Sequence, residues 1–211
     1  METKRDAKVR QHIYIPDHSQ TNKESTMAKD ILNDHAQSNN PTAETPKIYV
    51  VCLAAYSAHK PHGKWIDSTQ EVEIIHKEIK QMLSESPIEG VEEFAIHDFE
   101  GFGSLRLDKY ESIEIVHEKA MFILERGEQG AELLAYYGDI ESAQDALENR
   151  YHGEHENALE FAIQLFDDVF MDSIPVPVQG YIDYASYKRD LFMSDFFSIE
   201  VGGKTHVFAR R

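Results

Sequence analysis

Tyr110-Glu-Ser-Ile-Glu-Ile-Val-His-Glu-Lys-Ala-Met-Phe-Ile-Leu-Glu-Arg126 is the stretch on which the reading of the fold turns. Ile113, Val116, Ala120 and Ile123 recur at helical spacing and make one apolar face. Glu111, Glu114, Glu118 and Glu125 recur at steps of three, four and seven and make a second, anionic face. The pattern predicts a helix that buries one side and shows the other to a partner or to water. Strand-like and helical segments precede it, and helices follow it until a closing hairpin.

Toward the C-terminus, Gly127 to Gly130 should break the helix, and Glu132 to Tyr137 should form a short one stopped at Gly138. Asp139 reads as the cap of a helix over Ile140 to Tyr151 that stops around Gly153. Asn157 to Phe170 reads as another, with Leu159, Ile163 and Phe166 inward, and Pro175 and Pro177 mark a linker. Tyr184 to Met193 is a last helix. Phe196 to Val201, Gly202-Gly203 and Thr205 to Ala209 read as a hairpin by their turn chemistry.

Toward the N-terminus, Glu92 to Gly101 alternates around Phe94 and Ile96 and reads as a strand ended by Gly101 and Gly103. Before it, Val72, Ile75, Ile79 and Met82 share one helical face. Asp67 or Ser68 should cap that helix, with Glu71 in capping-box position. His59 to Asp67 reads as a loop, and Ile48 to Ala55, apolar and partly β-branched, as a buried strand. Residues 1 to 46 are polar and aperiodic, with a short helix possible over Met27 to Ala36, and read as a flexible tail.

Charge is segregated along this order. Asp67 to Asp172 holds 27 Asp and Glu against seven Lys and Arg, a balance of −20 within a chain of −17. Segregated charge repels itself and steers cationic partners. Besides the first stripe, Glu71, Glu78 and Glu85 repeat at seven. Asp139, Glu141, Asp145 and Glu148 lie on or beside one helix, and Glu156, Glu160 and Asp167 on the next. A step of three or four residues places carboxylates about 5 Å apart along a helix axis. That is comparable to the spacing of DNA phosphates, and at ~1.7 Å of duplex per charge, 20 charges represent roughly 34 Å of duplex. The plainer reading of each stripe is a solvated helix face.

Other chemistry is weakly supported. The 11 His complete no zinc-protease pattern, because Met121 and Leu159 stand where the second His would be after His117-Glu118 and His155-Glu156. His97 to Glu100 could serve a metal-dependent hydrolase only with distant partners, and an acidic scaffold is a further alternative. No calcium loop, nucleophile elbow or phosphate loop occurs. A basic footprint for direct nucleic-acid binding is missing. Cys52, the single cysteine, reads as a buried inert thiol in a chain with no intrachain disulfide. No apolar run suits a membrane span or a signal peptide, so a cytoplasmic location is expected.

Several words of the sequence carry a resemblance. They are Ile48-Tyr-Val-Val-Cys-Leu-Ala-Ala-Tyr56, His62-Gly-Lys-Trp-Ile-Asp67, Ser86-Pro-Ile-Glu-Gly-Val-Glu-Glu-Phe-Ala-Ile-His-Asp-Phe-Glu-Gly101, Tyr181-Ile-Asp-Tyr184 and Arg189-Asp-Leu-Phe-Met193. In this order, from about Lys47 to Phe208, they resemble the ArdA antirestriction proteins. Leu133-Leu-Ala-Tyr-Tyr-Gly-Asp-Ile-Glu-Ser-Ala-Gln-Asp-Ala-Leu-Glu148 is similar to the antirestriction motif of that family.

The resemblance implies a bacterial protein carried by plasmids or conjugative transposons. It implies an elongated dimer that imitates bent B-form DNA, sits in the DNA-binding groove of type I restriction-modification enzymes and catalyses nothing. It needs no cofactor. It also implies three small modules in a row. Joined to the segment reading, the expected fold is α+β: a tail 1–46, an α/β module 47–107, an acidic helical module 108–153 and an α/β module 154–211 ending in the hairpin. The tail departs from the family pattern. Leu133, Leu134, Tyr136 and Tyr137, more apolar than a short helix readily buries, are candidates for contact between protomers.

Overall fold

β1 (Lys47–Cys52) runs through the centre of the first sheet, because its alternate residues Ile48 and Val50 are apolar and β-branched and point into the core. β2 (Gly63–Asp67) and β3 (Phe94–Glu100) flank it, both antiparallel, giving the order β2-β1-β3. A bulge between Tyr49 and Val50 shifts the register against β3. The computed structural model describes residues 44–210, so the reading of the tail lies outside the described residues but for its last three.

α1 (Leu53–Ser57) lies between β1 and β2, and α2 (Val72–Ser84) between β2 and β3, burying Ile75, Ile79, Met82 and Leu83. α3 (Ile113–Tyr137) buries Ile113, Val116, Ala120 and Ile123 as its spacing predicts, and Ser112 caps it by accepting from the Ile115 N–H. Gly138, at φ 82°, ends it in the left-handed region. α4 (Ile140–Asn149) is capped by Asp139, which accepts from Ser142 N–H at 2.7 Å. β4 (Tyr151–His155) follows, then α5 (Ala158–Phe170), capped by Asn157, a 3-10 turn at Met171–Ser173, α6 (Val176–Gln179) and α7 (Tyr184–Ser194). β5 (Phe196–Val201) and β6 (Lys204–Ala209) close the fold as a hairpin around Gly202 and Gly203, both at positive φ. The second sheet has the order β4-β6-β5, all antiparallel.

Side chains alternate across this second sheet. Phe197, Ile199 and Phe208 join a continuous core with the inner face of the first sheet, α2, α3 and α4. Phe196 and Val207 point the other way, into a second core with Phe161, Ala162 and Leu191 of α5 and α7. The hairpin is therefore covered on both faces. The architecture is α+β, with seven α-helices and two three-stranded sheets among the described residues.

Several expectations are corrected. The first strand stops at Cys52, and Ala54 and Ala55, good helix formers with no β-branch, turn into α1. The expected loop contains β2, a strand specified by pairing with β1 rather than by its own short alternation. α2 starts at Val72 without a side-chain cap. Asp67 instead accepts from the Thr69 N–H and hydroxyl at 2.8 and 2.6 Å, and Ser68 is wholly buried.

The glycine break narrows to Gly127 alone, at φ 64°. Gly130 is helical, and a Cβ there would lie 2.5 Å from Arg126 Cβ. The helix expected to reach Tyr151 ends at Asn149, because Tyr151 pairs with Phe208 in the second sheet. Leu159 is exposed, because α5 meets the second core through Phe161, Ala162 and Leu165, while Ile163 and Phe166 are partly buried. The proline linker holds α6, with proline in the first turn, where a missing N–H costs no helical bond.

Candidate anionic binding surface

The four stripes do not survive equally. On α3, Glu114, Glu118 and Glu125 project from the helix into solvent, opposite the buried Val116 and Ala120. Glu111 lies before the helix, mostly buried, in an ion pair with Lys119. Glu71 and Glu85 sit at the two ends of α2 and are exposed, whereas Glu78 between them pairs with Lys64 at 2.6 Å and accepts from Gln70 at 3.0 Å. The Lys64 ammonium holds the Glu78 carboxyl below the usual carboxylate range. Glu114 accepts from His76 at 3.0 Å across α2 and α3, and that bond lowers its pKa too.

On α4, Glu141 and Glu148 are exposed, and Glu148 accepts from Gln144. Asp145 pairs with Arg150 at 2.8 Å, and Asp139 is engaged as the cap. Around α5, Glu156 forms an ion pair with Lys204, which raises the lysine's pKa, and Glu160 accepts from the Glu156 N–H at 2.7 Å, completing a capping arrangement with Asn157. Asp167 accepts from the Tyr184 hydroxyl at 2.7 Å. Glu125 pairs with its neighbour Arg126 at 3.3 Å. Of the stripe carboxylates, Glu71, Glu85, Glu118, Asp139, Glu141, Glu148, Glu160 and Asp167 have no ion pair among the described residues, and Glu114 pairs only with a histidine.

Leu133 and Leu134 are wholly buried in the chain's own core. Tyr136 remains half exposed, stacked on Phe197 at 4.3 Å and bonded through its hydroxyl by Arg210 at 2.8 Å, with Tyr137 packed edge-on beside it. The segment His97 to Glu100 gathers no metal site. The His97 ring packs edge-on to Tyr56 at 4.6 Å, burial lowers its pKa, and Glu100 is paired with Lys47 at 2.7 Å. Among the described residues no three His, Cys, Asp or Glu stand together as metal ligands. Among them, too, no helix is long and apolar enough to cross a membrane.

Two carboxylates carry no weight in the sequence pattern yet stand beside a cleft. Glu92 and Glu93 line it with Leu53, Phe94 and Tyr110. Adjacent acids before a strand give no periodic signal, and only the folded chain brings Leu53, Phe94 and Tyr110 beside them.

A comparison of the chain with curated proteins yields no match. The family model described as Antirestriction protein (ArdA) matches residues 48–205, from β1 through all the helices to the start of β6. The match spans three quarters of the chain, and the chain belongs to the ArdA family of antirestriction proteins.

Proposed function

We propose that this chain blocks type I restriction-modification enzymes by taking the place of DNA in the groove of their methyltransferase core. The observation that carries the reading is a set of exposed carboxylates at α2, α3 and α4, Glu71, Glu85, Glu118, Glu141 and Glu148 among them, that no lysine or arginine of the described residues pairs with. Stability alone favours mixed charge on a surface. A row of unpaired carboxylates is instead suited to lysines and arginines that ordinarily hold phosphates. The chain acts by occupancy, so it needs no catalytic group and no cofactor. We propose further that it works as a homodimer, because one protomer's charge represents only about one turn of duplex, with exposed Tyr136 at the contact and the three modules in line.

Binding of this kind releases counterions and weakens steeply with salt. Its energy is spread thinly, since exposed charge pairs are worth about 0.2–1 kcal/mol each. The test is DNA cleavage by a purified type I enzyme, with Glu118→Gln, Glu141→Gln and Glu148→Gln made singly and together, at two salt concentrations. Each single change should cost little, and the triple variant should inhibit poorly with a flatter salt slope. One substitution abolishing inhibition while the rest are silent, or inhibition indifferent to salt, would rule the mechanism out. Sedimentation of an inhibitory monomer at micromolar concentration would rule out the dimer.

A further inference from the structure

The cleft beside β3 is a different kind of surface from the stripes. Its volume is about 470 Å³, and its lining joins Leu53 at the start of α1, Phe94 at the start of β3 and Tyr110 ahead of α3. The Leu53 N–H donates to the Glu93 carbonyl at 3.1 Å, which ties one wall to the other. Phe94 also packs on the main core, so the floor is held in place. Tyr110 is 67% exposed. Glu92 and Glu93 are exposed at the rim, and among the described residues neither has an ion-pair partner.

An aromatic and aliphatic floor beneath two free carboxylates is complementary to one side chain above others. A guanidinium is planar and weakly hydrated, stacks on aromatic faces and bonds carboxylates through two N–H groups at once. A lysine ammonium is compact and strongly hydrated, and gains less from an apolar floor. The chain already uses Tyr110 this way: the Lys109 ammonium stands 5.3 Å from the centre of its ring.

We propose that this cleft is a receptor for a single arginine side chain of the partner protein, seated on Tyr110 and Phe94 and held by Glu92 and Glu93. The inference rests on the reading above only for the identity of the protein that supplies the arginine. It differs from the stripes in kind, since here one residue is read by shape as well as by charge.

The probe is N-acetyl-arginine methylamide, titrated into the full chain and followed by amide chemical shifts, with the uncharged citrulline analogue as control. Shifts should concentrate at Leu53, Glu92 to Phe94 and Tyr110 and saturate, and citrulline should produce almost none. Glu92→Gln with Glu93→Gln should weaken the arginine probe about threefold to tenfold. Tyr110→Ala should weaken it as well, and Lys109→Gln, which removes a competing cation, should tighten it. These positions are exposed, so an unchanged thermal melt verifies that the variants remain folded. Shifts spread evenly over all acidic helices, or equal binding of citrulline, would overturn the proposal. Neither result bears on occupancy of the DNA groove, which the cleavage assay reads separately.

Discussion

Ser68 sits in the short link between β2 and α2. Its N–H donates to the Pro46 carbonyl at 2.9 Å, its own carbonyl faces His117 Nδ1 at 3.0 Å, and its side chain is wholly buried. The hydroxyl has no partner among the described residues. An unsatisfied buried hydroxyl lowers stability, so Ser68→Ala should leave the fold intact and shift stability by between zero and about +1 kcal/mol, read from the urea midpoint. A true helix cap at this position would lose stability instead. Glu78 shows the opposite case, a carboxylate well provided for. Its folded pKa lies below the usual 4.5, chiefly through Lys64, so its contribution is present above that value and is lost as pH falls through the lowered one. The stability difference between the wild type and Glu78→Gln should therefore shrink on acidification below about pH 4.5, measured by urea unfolding at several pH values.

Among the elements, α4 begins at an acid with a structural task. Asp139, one of the acids of the proposed surface, is also the cap of the helix. Asparagine caps as well as aspartate does, so Asp139→Asn should retain stability, while Asp139→Ala should lose about 1 kcal/mol. A thermal melt of both variants decides it. The helices were largely legible because their caps and apolar periods are local properties: Ser112, Asp139, Asn157 and Asp183 cap helices at or near the expected starts. β2 and β4 were not legible. Each is short and defined by its partner strand, β1 just before it for one and β6, near the far end of the chain, for the other. Gly63 in β2 shows how far the partner decides. A Cβ there would lie 2.6 Å from the Val50 carbonyl oxygen and 2.9 Å from the Tyr49 ring, so Gly63→Ala should unpair the edge of the first sheet and lower the melting temperature. The candidate site was legible as composition, while its selection was not: which carboxylates the chain neutralises depends on Lys64, Lys119, Arg150 and Lys204, brought up by the fold.

At the scale of the whole molecule, unpaired acids repel one another whether or not a partner is bound. Neutralising Glu118, Glu141 and Glu148 together should therefore raise the melting temperature at low salt while weakening inhibition, and added salt should erase the gain in stability. A fall in melting temperature would mean that these side chains hold the fold rather than face a partner. The second sheet has one further consequence. β6 is the last strand in sequence and the central one in space, with β4 on one side and β5 on the other. During synthesis, therefore, the ribosome delivers both edges of this sheet before its middle. Until Lys204 to Ala209 emerges, β4 has no neighbour, and Phe196 and Phe197 have no strand to hold them between the two cores. A nascent chain stalled before Lys204 should remain open to protease around α5 and α7, and closure should follow release of the hairpin.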